Sequence, residues 1–192
     1  LHAGALNNLG GLLIAAGDVT GGIPYCRRAL QVDPALADAH NNLGVAFYRQ
    51  GRYPQAAAQF RKALSLTPRD SEARVTLAEV LDRMGDPAAA AAQYELAVAT
   101  TPQNTTVLAR AGAFFLRNTY FQTASAAWAD RILYGGDQAD AYNRLGSAVA
   151  GQGRSDQAVV FFKTALRLDS QHPRARSNLD KALEAVSGTT PD

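Results

Sequence analysis

The sequence predicts an all-α solenoid of stacked antiparallel helix pairs, because three features recur along it with one fixed spacing. A pair of apolar residues, the second of them small, returns every 34 residues. The five pairs are Leu9-Gly10, Leu43-Gly44, Leu77-Ala78, Ala111-Gly112 and Leu145-Gly146. A glycine follows most of the pairs, and a proline ends three of the periods. A unit of this length holds two helices and a turn, and it must stack on its neighbours to bury its apolar face.

Each period divides into the same elements in the same order. With the small residue of the pair at position 8, the repeats span 3–36, 37–70, 71–104, 105–138 and 139–172. Glycine at position 15 favours the positive φ of a helix C-terminus and ends the first helix. These glycines are Gly17, Gly51, Gly85 and Gly153. Proline at position 32 cannot continue the second helix. These prolines are Pro34, Pro68 and Pro102.

Three further positions predict how the helices pack. Positions 20 and 27 hold small residues in most repeats, which lets helices approach closely. Position 24 holds Cys26, Phe60, Tyr94, Trp128 and Phe162. All but the first of these are large aromatic groups, and we expect them to fill the space between the two helices of a repeat.

The fourth repeat keeps the spacing but departs from the pattern. It has Ala111 in place of Leu, Thr119 in place of the turn glycine and Arg131 in place of the small residue at position 27. It is also rich in aromatic residues, including Tyr120 and Phe121. Two interpretations are open. The aromatic residues repack a unit that lost its small residues, or they form a bend with an exposed aromatic contact.

The two ends of the array differ. Residues 173–186 read as one more first helix with Asp180 at the small position, which predicts a polar capping helix, and 187–192 read as a flexible tail. The first repeat instead carries the apolar run 12–14 with no polar helix before it. An upstream repeat, a partner or a second copy of the chain would cover this edge, or the edge stays apolar.

The pattern resembles the tetratricopeptide repeat, whose signature pairs Leu-Gly with a downstream Ala, an aromatic residue, a second Ala and a Pro over 34 residues. The second repeat matches best. Its matching residues are His40, Leu43, Gly44, Phe47, Ala56, Phe60, Ala63 and Pro68. The resemblance covers residues 3–172 and implies a right-handed superhelical solenoid whose first helices line a concave groove.

Composition narrows the classes of partner. The net charge is only +2, without the concentrated Lys and Arg of nucleic-acid binders, so we expect no nucleic-acid partner. The lone cysteine, Cys26, has no second cysteine with which to form an internal disulfide. Cysteine content therefore does not indicate whether the protein works in a reducing or an oxidising compartment. Apolar runs such as 12–16 and 88–92 are far shorter than the ~20 residues that span a bilayer. We therefore expect no membrane-spanning segment.

Catalytic and metal-binding patterns are also missing. The sequence has no phosphate-binding Gly-rich loop, no nucleophile elbow and no zinc-binding helix motif. His2, His40 and His172 lack ligand spacing and read as structural residues. We expect a protein that is not an enzyme and that holds no cofactor and no metal.

The resemblance implies that positions 2, 5, 6, 9, 12 and 13 of the first helices face a ligand. Positions 5 and 6 carry a polar ladder. Its members are Asn7, Asn8, Asn41, Asn42, Thr76, Arg110, Asn143, Arg144 and Asn178. Asparagine is unfavourable inside a helix, but its amide offers a donor and an acceptor to an extended peptide. We predict a peptide-binding groove here. A solvated helix face, or asparagines bonding across neighbouring repeats, would give the same pattern.

Arginines at position 13 form a secondary set, Arg49, Arg83 and Arg117. With the arginines of the ladder they favour a partner with an acidic segment, although each also offsets a helix dipole. The carboxylate clamp of chaperone-binding tetratricopeptide domains is not reproduced, since only Asn42 matches it. A chaperone-tail adaptor is therefore not expected.

These observations predict a non-catalytic scaffold that binds a protein or peptide segment in its concave groove. One alternative is the substrate-recruiting region of a larger enzyme, because the Asn-Asn-Leu-Gly helices resemble those of O-linked N-acetylglucosamine transferases. Another is an assembly factor of bacterial envelopes or secretion. The first residue is Leu1 rather than Met, which favours an excised part of a longer chain. The excess of Arg over Lys hints at a bacterial gene. The sequence leaves the partner, the compartment and the oligomeric state open.

Overall fold

A computed structural model describes residues 2–188 of the chain, and within this range eleven α-helices and no strand are found. They are α1 (Ala3–Ala15), α2 (Val19–Val32), α3 (Ala37–Arg49), α4 (Tyr53–Leu66), α5 (Ser71–Arg83), α6 (Pro87–Thr100), α7 (Thr105–Arg117), α8 (Phe121–Tyr134), α9 (Gln138–Gly151), α10 (Ser155–Leu168) and α11 (Ala175–Ser187). The odd-numbered helices are the first helices of the periods, and the even-numbered ones are the second helices. The prediction of an all-α fold is confirmed.

The helices group into two compact units. The first unit runs to Thr100 and holds α1 to α6, and the second begins at Thr101 and holds α7 to α11. The division falls between the third and the fourth period. Inside each unit every helix packs against the next one along the chain, and successive first helices touch at α1 with α3 and at α9 with both α7 and α11.

The turns between the two helices of a repeat follow the predicted pattern. Gly51 has a φ of 71°, and the Arg52 N–H donates to the Phe47 carbonyl at 2.9 Å. This bond closes the left-handed turn at the helix C-terminus and gives a hydrogen-bond donor to a carbonyl that would otherwise be unpaired. In the fourth repeat Thr119 adopts the same conformation, with a φ of 65°, and the Tyr120 N–H still reaches the Phe115 carbonyl at 2.9 Å. The turn geometry therefore survives the loss of its glycine.

Close packing inside the repeats explains the small residue at position 8. A Cβ placed on Gly44 would lie 2.8 Å from Cζ of Phe60, and one on Gly146 would lie 2.7 Å from Cε1 of Phe162. The position-24 side chains are all buried. Helix and aromatic ring thus touch directly, as the sequence pattern predicts.

The C-terminal elements differ slightly from the prediction. The capping helix α11 spans Ala175–Ser187 rather than 173–186, because Pro173 lies in the preceding turn. It buries Ala175, Leu179 and Ala182 and leaves Asp180 exposed. Ser187, which we assigned to the tail, ends the helix, and 189–192 lie outside the described residues.

Candidate functional site

Two asparagines of the predicted ladder are buried. Asn7 is 4% exposed and Asn143 is 3% exposed. The Asn42 Nδ2 donates to Oδ1 of Asn7 at 2.9 Å, and the Asn178 Nδ2 donates to Oδ1 of Asn143 at the same distance. Our expectation that Asn7 and Asn143 face a ligand is therefore corrected: each amide joins two neighbouring first helices from inside the unit.

Asn41 occupies the corresponding place in the second repeat but has no such partner. Its Nδ2 donates to Oδ2 of Asp70 at 3.0 Å, at the N-terminus of α5. Its Oδ1 is buried and accepts no hydrogen bond from any described residue. Thr76 stands 35 residues after Asn41, the separation of the two bonded asparagine pairs, but its hydroxyl donates to the Glu72 carbonyl of its own helix. The amide hydrogen bonds that join α1 to α3 and α9 to α11 thus have no counterpart between Asn41 and Thr76.

The remaining ladder residues lie nearer the surface. Asn8 is exposed, whereas Asn42, Thr76, Arg110, Arg144 and Asn178 are half-buried. Their exposure fits a helix face that a ligand reaches. It fits a solvated face equally well, so their contact with a ligand stays a prediction.

The position-13 arginines contribute to helix ends. Nη1 of Arg49 donates to the Ile14 carbonyl in the last turn of α1, which also accepts the Gly17 N–H at 3.1 Å. Arg83 is exposed in the last turn of α5. The guanidinium of Arg117 lies 5.8 Å from the centroid of the Phe114 ring. The contact of Arg49 therefore supports a structural role, the joining of α3 to the end of α1.

Arg144 is held in place from two sides. Its Nε donates to Oδ2 of Asp140 at 2.7 Å, one turn earlier on α9. Its guanidinium lies 5.1 Å from the centroid of the Trp128 ring, which is itself buried. The other carboxylate oxygen of Asp140 is 3.9 Å from Nε2 of His172. A cation fixed by a carboxylate and a ring loses little side-chain freedom when it binds a ligand.

His172 is a structural residue, as predicted. Its Nδ1 accepts the N–H of Arg174 at 3.3 Å and that of Ala175 at 3.2 Å. It thereby caps the N-terminus of α11, where no residue with a capping side chain stands at the usual place. The cap orients α11 against α10.

A cavity of about 310 Å³ opens in the second unit between α9, α10 and α11. Its lining includes Ser147 and Ala150 of α9, Phe162 of α10, and Asn178, Lys181 and Ala182 of α11. We call it the second-unit cavity. Arg144 lies one helical turn before Ser147, on the same side of α9.

The polar groups of the second-unit cavity include an unused donor and an unused acceptor. The exposed Lys181 ammonium makes no hydrogen bond or ion pair with any described residue, and Asn178 Oδ1 likewise accepts none. The Asn178 Nδ2 is engaged by Asn143 and lies 3.5 Å from the Ser147 hydroxyl. The amide is thus fixed with its oxygen available, beside a cation three residues along the same helix.

Sequence reasoning missed Lys181 and Ser147. Both stand at position 9, which the tetratricopeptide resemblance includes among the ligand-facing positions, but only positions 5, 6 and 13 showed a run of similar residues. A search for charged residues at position 9 of the capping helix would have found Lys181.

The aromatic residues of the fourth repeat are mostly interior. Phe114, Phe115 and Trp128 are buried, whereas Tyr120 is 39% exposed and stands 6.4 Å from Phe114, ring centroid to ring centroid. Phe121 is half-buried beside Gly151, where an added Cβ would lie 2.5 Å from its ring. Repacking therefore accounts for most of the cluster, whereas Tyr120 and Tyr134, the latter 42% exposed, lie at the surface.

Metal and membrane chemistry find no support in the described part of the chain. No group of three or more His, Cys, Asp or Glu side chains there has the arrangement of a metal site. None of the described helices combines the length and the apolar character needed to cross a bilayer. Burial raises the pKa of the Cys26 thiol to about 11, so this cysteine is a protonated core residue at neutral pH.

Comparison with solved structures shows where this fold recurs. The crystal structure of the MamA protein matches with a TM-score of 0.76 and 22% identity, over 91% of this chain and 94% of that chain. YrrB, described as a TPR protein with an unusual peptide-binding site, matches with a TM-score of 0.75 and 20% identity, over 90% and 89% of the two chains. The C-terminal part of a TPR repeat-containing protein from Cytophaga hutchinsonii has a TM-score of 0.77 and 17% identity, over 95% and 72%.

Sequence comparison names the family. No curated protein sequence matches the chain. Two family models described as tetratricopeptide repeat do match it, one over 12–73 and 41–105 and the other over 139–172. Together they cover about two thirds of the chain and leave out most of the atypical fourth repeat. With helices that fit five repeats and a capping helix, the chain belongs to the tetratricopeptide repeat family.

Proposed function

We propose that this protein is a scaffold without catalytic activity of its own, and that it binds an extended peptide segment carrying acidic residues in the second-unit cavity. The family and its solved relatives support a role in protein interaction. The observation that carries the finer proposal is the pairing of an unused ammonium at Lys181 with an unused amide oxygen at Asn178 in one cavity.

These two groups suit a peptide backbone and an acidic side chain. The Asn178 oxygen accepts a backbone N–H, which every residue except proline offers, so this contact selects for extended peptide rather than for a sequence. The Lys181 ammonium favours a carboxylate nearby and disfavours a basic residue. Arg144, one turn before Ser147 and already oriented by Asp140, adds positive charge to the same side of α9.

The walls of the second-unit cavity add apolar contact. Phe162, Ala150 and Ala182 line it beside the polar groups. Mostly apolar walls with a few fixed polar groups are typical of ligand sites, where the walls supply affinity and the polar groups set orientation. The volume of about 310 Å³ is at the lower end of the range of ligand sites and accommodates one or two side chains of a bound segment.

A peptide selection tests the proposal. The whole chain is used to select binders from a random peptide library displayed on phage, and the affinities of the selected peptides are measured by calorimetry. We expect acidic peptides whose affinity falls about tenfold in Lys181→Glu, a change of ~1.4 kcal/mol. Lys163→Glu is the matched control, because Lys163 is an exposed lysine of α10 that lies outside the second-unit cavity.

Two results would overturn the proposal. Selected peptides without acidic residues would remove the charge argument. An affinity that is lost in Lys163→Glu and kept in Lys181→Glu would move the binding surface to the outer side of α10, where Lys163 lies with Val160 and Arg167.

A further inference from the structure

Two second helices of the first unit carry a pair of exposed cations each. The pairs are Arg27 with Arg28 on α2, and Arg61 with Lys62 on α4. Each pair lies directly between two buried residues of its helix, which fixes the exposed side of that helix. Because α2 and α4 hold the same place in successive repeats and both pack against α3, their exposed sides belong to one surface of the unit. We call this surface the basic face.

The four cations have no evident role in the stability of their own helices. Neither α2 nor α4 contains Asp or Glu, so no carboxylate stands one turn away on the same helix. Neither pair lies in the last turn of its helix, where a cation would offset the helix dipole. None of the four forms an ion pair or a side-chain hydrogen bond with a described residue. Cations grouped without partners repel one another, and an anionic ligand removes that repulsion.

Apolar side chains flank the cations of the basic face. On both helices a cation stands four residues after one apolar residue and four residues before another. The rows are Pro24, Arg28 and Val32 on α2, and Ala58, Lys62 and Leu66 on α4. Val32 is 55% exposed, Pro24 and Ala58 are exposed, and Leu66 is half-buried. Rows with this spacing are the ridges by which helices pack on one another. The basic face thus offers apolar contact and positive charge at helical spacing.

The positive charge of the basic face is local. Residues 1–100 contain nine Lys and Arg and nine Asp and Glu, so these charges cancel over the first unit. The carboxylates at the two ends of α2 are engaged in turns. Asp18 accepts the Gly21 N–H at 2.8 Å, and Asp33 accepts the Ala35 N–H at 3.0 Å. A long polyanion or a charged membrane would also meet the carboxylates of the same unit, whereas a short acidic segment meets only the basic face.

We propose that the basic face binds an acidic amphipathic α-helix of a partner protein. Carboxylates of this helix pair with Arg28 and Lys62, and its apolar side chains pack on the rows that flank them. Three of the four cations are arginines, whose guanidinium groups bind a carboxylate through two parallel hydrogen bonds. The proposal is independent of the second-unit cavity, since it rests on helices of the other unit.

A synthetic helix of Ala, Leu and Glu, with Glu at every fourth position, serves as the probe, and the same peptide with Gln in place of Glu is its control. Binding of each labelled peptide to the whole chain is measured by fluorescence anisotropy. The Glu peptide should bind saturably, and the Gln peptide at least tenfold more weakly. The double variant Arg28→Glu with Lys62→Glu should bind the Glu peptide roughly tenfold more weakly, because two attractions become repulsions. A peptide with Lys in place of Glu should bind this variant better than wild type.

The double variant Lys163→Glu with Arg167→Glu is the matched control, since it reverses two exposed cations one turn apart on α10 of the second unit. It should leave the affinity unchanged, and circular dichroism checks that both double variants keep their helices. Three results would overturn the proposal: no binding of the Glu peptide, an equal loss in the control variant, or a loss in Lys181→Glu with full affinity in Arg28→Glu with Lys62→Glu. The third result would place the peptide in the second-unit cavity.

Other classes of anionic partner are tested with the same variants. Vesicles with anionic lipid and a single-stranded oligonucleotide are titrated into the wild-type chain and into Arg28→Glu with Lys62→Glu. We expect both to bind the wild-type chain more weakly than the Glu peptide does. Tighter binding of either one, lost in the double variant, would assign the basic face to that partner and overturn the proposal.

Discussion

Replacing Thr76 with asparagine should add a hydrogen bond to the unpaired side-chain oxygen of Asn41 and so stabilise the first unit. The pairs Asn7 with Asn42 and Asn143 with Asn178 are each 35 residues apart, and Asn41 with Thr76 has the same separation. The Asn41 amide is already oriented by its bond to Asp70, and its buried oxygen accepts no hydrogen bond from the described residues. We expect the N–H of an asparagine at position 76 to donate to this oxygen, as Asn42 donates to Asn7 and Asn178 to Asn143.

The expected gain follows from the cost of the unpaired oxygen. A buried acceptor without a partner costs ~1–3 kcal/mol, and the new bond removes that cost. Against this stands the loss of the bond from the Thr76 hydroxyl to the Glu72 carbonyl, which is solvent-exposed and worth ~0.5 kcal/mol. Threonine and asparagine have similar helix propensities. The net stabilisation of the first unit should be about 1 kcal/mol, or a rise in its melting temperature of ~4 °C or more.

Urea and thermal unfolding followed by circular dichroism measure this gain, and two controls isolate its cause. Thr76→Asp has almost the shape of asparagine but no N–H to donate, so it should give no stabilisation. Thr76→Asn combined with Asn41→Ala should also give none, because the acceptor is gone. A gain that persists without Asn41, or a Thr76→Asn protein no more stable than wild type, would refute the reasoning.

Three other predictions concern a turn, a close helix contact and a buried thiol of the repeats. Thr119→Gly should stabilise the protein by ~0.5–1 kcal/mol in thermal unfolding, because a β-branched residue at a φ of 65° is strained, and Gly153→Thr should cost a similar amount. Gly44→Ala should cost ~1–3 kcal/mol in urea unfolding, since its Cβ would lie 2.8 Å from Phe60, and Phe60→Leu should recover part of the loss. The folded Cys26 thiol keeps its proton to a pKa of about 11 whereas the unfolded thiol ionises near 9. Unfolding titrations should therefore show stability falling by ~2–3 kcal/mol as the pH rises from 9 to 11, and Cys26→Ala should flatten that slope.

The repeat period predicted most of the fold because each signal acts locally. The glycine at position 15 and the proline at position 32 shape the backbone of their own turn, whatever the rest of the chain does. The small residue at position 8 and the aromatic residue at position 24 meet inside one repeat, as Gly44 and Phe60 do. The division after Thr100 was not predicted, because a constant period gives no sign of where helices group.

The candidate site was predicted less well, because its residues meet across repeats. Asparagines at the same positions of successive first helices show that an amide side chain recurs there. They do not show whether that side chain faces solvent or the neighbouring helix. Asn7 and Asn143 turned inward because the next first helix supplies a donor to each. Lys181 was missed because it is a single charged residue on a capping helix, and only the cavity that surrounds it distinguishes it from other surface lysines.

Amide chemical-shift mapping with a selected acidic peptide tests the proposed binding site most directly. In a titration of the isotope-labelled chain, the largest shifts should fall on Ser147, Asn178 and Lys181, which line the second-unit cavity. Lys163 and Arg167, on the outer side of α10, should stay unshifted. Shifts centred on those two residues, with none at Asn178 or Lys181, would contradict the account.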